Sequence, residues 1–213
     1  EIGKNIGADL PLVGDAKLVL QQMMELAKPM KHDEWIAHIK TLGGERKYVE
    51  PAKGTVNPRV FIDRLAKKMP ANVTIVADVG QNQIWTCTEY KFRKEGRLLT
   101  SGGMGTMGYS VPAAIGAKMA DNSRATVAIC GDGAFQMSFM ELATAVQFGV
   151  DIKVVVMTNN RLGMVRELQT NGYHDRQTAV FLDGSPDFIK LAEAYGIPAM
   201  RVYDDDTMEK GVE

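Results

Sequence analysis

Two short apolar runs, Ala125–Cys130 and Ile152–Met157, stand in the second half of the chain with a single amphipathic stretch between them. Runs of this length, bounded by Gly, Asp and Asn, have the size of buried strands. In the intervening stretch Phe139, Leu142, Ala143 and Val146 recur at helical spacing. Ser138 and Glu141 fit a capping box at its start, and Gly149 can close it. The pattern predicts strand, helix, strand, which is a βαβ unit with parallel strands.

The same alternation extends to either side. Asn57-Pro58 is an N-cap followed by Pro at the first helical position, opening a helix to about Met69. Val73–Val79 reads as a strand and Arg97–Thr100 as a short one. Ser110 and Pro112 begin a helix rich in small residues (Ala113, Ala114, Gly116, Ala117), suited to close packing. Residues 163–184 are poorly periodic and partly polar. Ser185-Pro186 opens a further helix with Phe188, Ile189, Leu191, Ala192 and Tyr195 inward and Gly196 as terminator. Ala199–Tyr203 is predicted as another strand, followed by an acidic segment of helical character. The predicted fold class is α/β, a doubly wound and mostly parallel sheet with helices on both faces.

Before Asn57 the chain differs. Asp15–Ala27 and Asp33–Lys40 read as helices with no sheet of their own, and Gly43-Gly44 and Glu50-Pro51 break structure. The division expected is 1–29 as the end of a preceding domain, 30–56 as a linker and 57–213 as the α/β domain. The chain begins with Glu1 rather than Met and stops soon after the last predicted strand, so we expect a piece truncated at both ends.

Composition narrows the partners. Apolar residues make up 45% and charged residues 24%, ordinary values for a globular chain. A net charge of −1 gives no electrostatic reason to bind nucleic acid or an anionic membrane. No apolar run is long enough for a membrane span, no signal peptide opens the chain, and no internal repeat is evident. Cys87 and Cys130 match no metal or redox spacing, which points to a reducing, cytoplasmic setting.

The chemistry concentrates where the two apolar runs end. Asp132 lies in Gly131-Asp132-Gly133 after the first run, and Asn159 comes after the second. In a βαβ unit both stand at the carboxyl ends of parallel strands, the edge where open α/β sheets bind ligands. A carboxylate and an amide there suit Mg²⁺, which takes few protein oxygens and leaves positions for phosphates and water. Gly131 and Gly133 let a phosphate approach the backbone at the entry to a helix, where N–H groups attract anions. Phosphate and metal sites therefore coincide. Gly103-Met104-Gly105-Thr106-Met107-Gly108 matches the dinucleotide pattern literally, but its preceding strand is weak and no acidic residue stands at the right distance beyond it. A structural turn and a loop facing another cofactor both stay open. His32, His38 and His174 are isolated, with His174 nearest the site in sequence. Met107 and Met164 flank Gly-rich turns rather than helix faces, which favours a pocket over a core.

These motifs resemble a family. Gly131-Asp132-Gly133, then residues 134–158, then Asn159-Asn160 is similar to the thiamine-diphosphate motif of thiamine-dependent enzymes. Ser101–Tyr109, Glu141–Gln147 and Leu162–Arg166 resemble the acetolactate synthase large (catalytic) subunit, and Ile2–Asn5 and Pro11–Ala16 resemble the end of its central domain. The resemblance implies that Asp132 and Asn159, with the carbonyl of Arg161, ligate a Mg²⁺ that bridges to the diphosphate. It implies backbone contacts from Gly131, Gly133 and Ala134, and from Gly80, Gln81 and Asn82. Met107 would wedge thiamine into its bent shape, with Gly105, Gly163 and Met164 lining the same pocket. Met164 and Leu168 would border the second-substrate pocket.

By the same resemblance the activity is condensation of two 2-oxo acids with loss of CO₂, in branched-chain amino-acid biosynthesis. The activating glutamate belongs to an N-terminal domain that this chain lacks, so the chain alone is expected to be inactive. FAD is expected only in the full-length protein. The assembly implied is a homodimer or homotetramer, with or without a small regulatory subunit. Asn82 stands where the family usually has His, and Leu168 where Trp is usual. Two alternatives stay open: another thiamine-diphosphate enzyme, such as a 2-oxo acid decarboxylase or pyruvate oxidase, and a non-catalytic cofactor-binding module.

Overall fold

Four parallel strands in the order β2-β1-β3-β4 form the framework of the computed structural model, which describes residues 2–43 and 48–212. The strands are β1 (Thr74–Ala77), β2 (Arg97–Thr100), β3 (Thr126–Gly131) and β4 (Lys153–Met157). Ile75 lies opposite Val127 and Ala77 opposite Ile129, while Ile129 lies opposite Val155. All of β1 and all of β3 up to Cys130 are buried, so both strands are covered on both faces. That is why they read as unbroken apolar runs rather than alternating ones.

Chain division falls at Lys47/Tyr48. The first unit holds α1 (Ala16–Leu26) and α2 (Asp33–Leu42), neither of which buries a residue. Asp15 caps α1, its Oδ1 accepting from the Leu18 N–H at 3.1 Å. The predicted break at Gly43-Gly44 lies partly outside the described residues.

The second unit, Tyr48–Glu213, carries the sheet. Its helices are α3 (Pro58–Lys68), α4 (Gln81–Glu89), α5 (Ser110–Ala120), the single turn α6 (Asp132–Phe135), α7 (Leu142–Gln147), α8 (Gly163–Gly172), α9 (Phe188–Ala194) and α10 (Asp205–Val212). Asn57 caps α3 with Pro58 at its first position, as its sequence dictates. Phe61, Ile62 and Leu65 of α3 join Ile75, Val127, Ile129 and Met208 in the core on one face of the sheet. Val111 and Ile115 of α5 join Cys130, Phe135, Leu142 and Ala145 on the other. Ala114, fully buried, lets α5 approach Val76 and Ala128 closely. Each buried Ile or Val here contributes roughly 1.5–3 kcal/mol. Phe188 of α9 meets Phe135 edge-on at 5.3 Å between centroids. The sheet is doubly wound, as predicted. No helix among the described residues is long and apolar enough to cross a membrane.

Two helices went unread in the sequence, and two local expectations need correction. Residues 81–89 form α4, which hydrophobic spacing could not reveal because its buried stripe is polar: Asn82, Thr86 and Glu89. Residues 163–172 form α8, although their pattern is weak. Ala199–Tyr203 joins no ladder among the described residues; Val202 packs against the α3 side of the core, while Met200 and Tyr203 are exposed. Apolar composition favours burial, and burial alone does not supply backbone pairing. Finally, Ser138 does not cap a helix. Its hydroxyl is buried without a partner, residues 139–141 form a 3₁₀ turn, and Glu141 accepts from Thr144 instead. The inward residues there are Leu142 and Ala145, with Val146 exposed, so the helical phase is shifted from the one predicted.

Candidate functional site

Strand order reverses between β1 and β3 while all strands stay parallel: β1 is followed by a helix on one face, β2 by a helix on the other. The carboxyl ends of β1, β3 and β4 therefore border one crevice, the usual ligand site of such sheets. It opens into a cleft of about 1730 Å³ that runs on along β4.

Asp132 stands at its floor, 1% exposed. Its Oδ1 accepts from the Gly133 N–H at 2.8 Å, and its Oδ2 from the N–H groups of Asn159 at 3.0 Å and Asn160 at 2.6 Å. The carboxylate thus ties the end of β3 to the loop after β4. Asn160 adopts φ +54°, turning the chain so that both N–H groups converge. Asn159 Oδ1 accepts from the Arg161 N–H at 3.0 Å. No cationic side chain forms an ion pair with Asp132 among the described residues.

The loop is braced from outside. Leu162 N–H donates to Val180 O and Leu182 N–H to Asn160 O, an antiparallel clamp around the Arg161–Phe181 bridge. The Arg161 guanidinium lies 4.4 Å over the Phe181 ring and pairs with Asp183 at 2.8 Å. Its side chain is committed to the brace, so only the main chain of Arg161 is left to face a ligand.

Glycines keep the floor open. A Cβ on Gly133 would meet Leu162 Cδ2 at 2.7 Å and Met107 Cε at 3.5 Å. One on Gly163 would collide with Gln81 Oε1. Gln81 donates through Nε2 to Glu167 at 3.0 Å, linking the start of α4 to α8. Gly80 takes φ +143°, a region that favours glycine, and a Cβ there would press on Asn82 Oδ1 at 2.6 Å. Asn82 is buried; its Nδ2 donates to Asp78 O at 2.8 Å and Ile129 O at 3.2 Å, joining the ends of β1 and β3. The reverse amide orientation would set an oxygen against two carbonyls, so Oδ1 is what faces Gly80 and Gly131.

Gly80, Gln81, Asn82, Met107, Gly131, Asp132, Gly133, Ala134, Asn159, Arg161, Gly163 and Met164 all line the cleft. Gly105 does not; it turns the exposed loop before Met107 with φ +64°. Leu168 lies on α8 outside the lining, 61% exposed, one helical turn beyond Met164. His174 is exposed in the turn after α8, and Met104 is 89% exposed. Sequence reasoning missed Asp78, Phe181 and Asp183. Asp78 alone had a signal, an acidic residue closing an apolar run.

The donor set is informative. Among the described residues no three His, Cys, Asp or Glu cluster as metal ligands. What converges is one carboxylate, one amide oxygen and main chain, a hard oxygen set that matches Mg²⁺ held jointly with phosphates rather than zinc. First-turn N–H groups of α4 add an anion-attracting end.

An all-parallel sheet whose strand-end oxygens and glycine-lined turns share one crevice defines an open α/β domain with its cleft at the carboxyl ends of the strands. The chain belongs to the thiamine pyrophosphate enzyme family: residues 78–213 match its C-terminal TPP binding domain. It is 37% identical over 210 residues to the acetolactate synthase large subunit of Lactococcus lactis, covering 98% of this chain and 36% of that protein. With the probable acetolactate synthase large subunit of Methanocaldococcus jannaschii it shares 38% over 221 residues, 99% of this chain and 37% of the relative. With isozyme 3 of Escherichia coli the identity is 36% over 217 residues, 98% and 38%. The chain thus spans little more than a third of the length of the curated relatives it matches.

Proposed function

We propose that this chain supplies the cofactor-binding part of a thiamine-diphosphate- and Mg²⁺-dependent acetolactate synthase, which condenses two 2-oxo acids with loss of CO₂ in branched-chain amino-acid biosynthesis. The observation that carries the reading is Asp132 and Asn159 held together at adjacent strand ends, 3.0 Å from Oδ2 to N–H, at the floor of the cleft. The names of the relatives support the reaction.

Asp132, the Asn159 amide oxygen and the Arg161 carbonyl would hold the metal. Gly131, Gly133, Ala134, Gly80 and Gln81 would face the diphosphate through their backbone. Asn82 would add its backbone to that set, while its side-chain donors are engaged in fixing the strand ends. Met107, Gly163 and Met164 would border the rings of the cofactor, with Gly105 shaping the loop that carries Met107. Met164 and Leu168, four residues apart on α8, would flank the second substrate. When bound, thiamine diphosphate supplies the electron sink for decarboxylation. The chain's own residues bind and orient it: Asp132 places negative charge for the cation, and three N–H groups keep that carboxylate from turning.

Residues 57–213 would form the cofactor domain and 1–29 the end of its neighbour, with 30–56 between them; the division at Lys47/Tyr48 supports a boundary in that stretch. A cytoplasmic homodimer or homotetramer completes the proposal. FAD is placed outside this chain.

Product analysis tests it. The full-length protein, given pyruvate, thiamine diphosphate, Mg²⁺ and FAD in aerated phosphate buffer, should form acetolactate. Acetaldehyde would indicate a decarboxylase, acetyl phosphate an oxidase, and cofactor binding without turnover a binding module.

A further inference from the structure

A second carboxylate, Asp78, is fully buried just past the end of β1 and does not line the cleft. Its Oδ1 accepts from the N–H groups of Val79 at 2.9 Å and Gly108 at 3.0 Å, and its Oδ2 from the Ser110 N–H at 2.8 Å. No ion pair reaches it among the described residues. A carboxylate so placed is tolerable only because its hydrogen bonds are made. Two of the three partners lie some thirty residues away, so the group holds a distant segment.

That segment is the turn into α5. Tyr109, at the N-cap position, gives no side-chain cap. Asp78 supplies the missing acceptor from another strand, where a negative charge also suits the helix dipole. Gly108 has φ +82°, and a Cβ there would press on Met137 Cβ at 3.0 Å. The turn is therefore fixed from two sides, and Met107 is the residue immediately before it. Met107 Cε comes within 3.5 Å of the space above Gly133, next to Asp132.

We propose that Asp78 is a positioning residue: through Gly108 it sets Met107 against Gly133, and so fixes the shape in which the cofactor is held rather than its affinity. The proposal rests on the cofactor reading above. Asn at this position would present an NH₂ group to N–H donors, so one of the two oxygen functions is lost and the turn must shift. Misplacement of a positioning group by about 1 Å costs on the order of a hundredfold in rate.

The experiment compares wild type and Asp78→Asn in the full-length protein with thiamine diphosphate and Mg²⁺. Calorimetry gives the cofactor Kd, and deuterium exchange at C2 of the bound cofactor reads its activation. Kd should stay within about threefold while C2 exchange and kcat fall together by about tenfold to a hundredfold. Adding Met107→Ala to Asp78→Asn should slow exchange no further than Met107→Ala alone. Unchanged exchange in Asp78→Asn, a Kd loss as large as the exchange loss, or additive losses in the double variant would each overturn the proposal. Should Asp78→Asn fail to fold, Gly108→Ala displaces the same turn without touching the carboxylate and must show the same split between Kd and exchange; normal exchange there overturns it as well. A wild type that binds no thiamine diphosphate would remove the cofactor reading and this proposal together, whereas normal binding with normal exchange in the variant removes only the latter.

Discussion

Asp78 and Asp132 are the same device used twice. Each stands just past a buried parallel strand or at its end, each is almost wholly hidden, and each accepts three backbone N–H groups, one from the next residue and two from a distant loop. They differ in the neighbouring residue. After Asp78 comes Val79, and the carboxylate is sealed away from the cleft. After Asp132 comes Gly133, and the carboxylate forms part of the cleft wall. One strand end thus keeps its carboxylate inside the framework and its neighbour sets the same group at the cleft. The number of hydrogen bonds to the carboxylate therefore does not separate the two positions.

The largest expected effect is on the cleft side. In the full-length protein Asp132→Ala should weaken Mg²⁺-dependent thiamine-diphosphate binding by more than about 100-fold, beyond the 10–100-fold typical of groups that only support a metal ligand. Calorimetry showing wild-type affinity would make Asp132 a framework residue like Asp78 and end the contrast.

Next comes the residue after the carboxylate. Gly133→Ala places a Cβ 2.7 Å from Leu162 Cδ2 and 3.2 Å from Leu182 Cδ1. Both are side-chain ends that can yield, so the cost to stability should be about 1–3 kcal/mol. Cofactor affinity should fall as well, because Leu162 is displaced into the crevice. Val79→Ala shortens a cleft-lining side chain without pressing on a neighbour, so its loss of affinity should be much smaller. Chemical denaturation and calorimetry on both variants give the comparison; equal losses of affinity would refute it.

A smaller effect is expected at the rim. Leu168→Trp should raise selectivity for 2-oxobutyrate over pyruvate as second substrate about tenfold, since one methylene against an apolar surface is worth roughly 1–3 kcal/mol. Competition between the two acids gives the product ratio directly. An unchanged ratio places Leu168 outside the second-substrate pocket.

The mildest probe lies between the two carboxylates. Burial, and then the negative charges of Asp78 and Asp132, push the Cys130 thiol far above its ordinary range. The thiolate is the reactive form, so at about pH 8 a thiol reagent should label exposed Cys87 alone in the native protein and both cysteines after denaturation. Native labelling of Cys130 would mean that the strand ends open.

Much of the fold was legible in the chain. Ala125–Cys130 and Ile152–Met157 announced β3 and β4, Asn57-Pro58 announced α3, and the Gly131-Asp132-Gly133 and Asn159 pair marked the strand ends where the cleft lies. These signals are local: apolar runs, caps and glycines act over a few residues. α4 was invisible because its buried face, Asn82, Thr86 and Glu89, is satisfied by hydrogen bonds rather than by apolar contact. The mistaken strand at 199–203 shows the converse, an apolar segment that pairs with no strand among the described residues.

From the amino acids alone one reads the alternation of strands and helices, the parallel sheet that it produces, and two oxygen-bearing residues at the sheet's ligand edge. Only the folded chain decides that Asp132 clasps Asn159 and Asn160, that Arg161 is turned away against Phe181, and that Asp78 holds the turn bearing Met107. Those assignments depend on contacts across tens of residues. Any of several carboxylates could have accepted the same N–H groups, and which one does is set by strand order and packing, which no local pattern encodes.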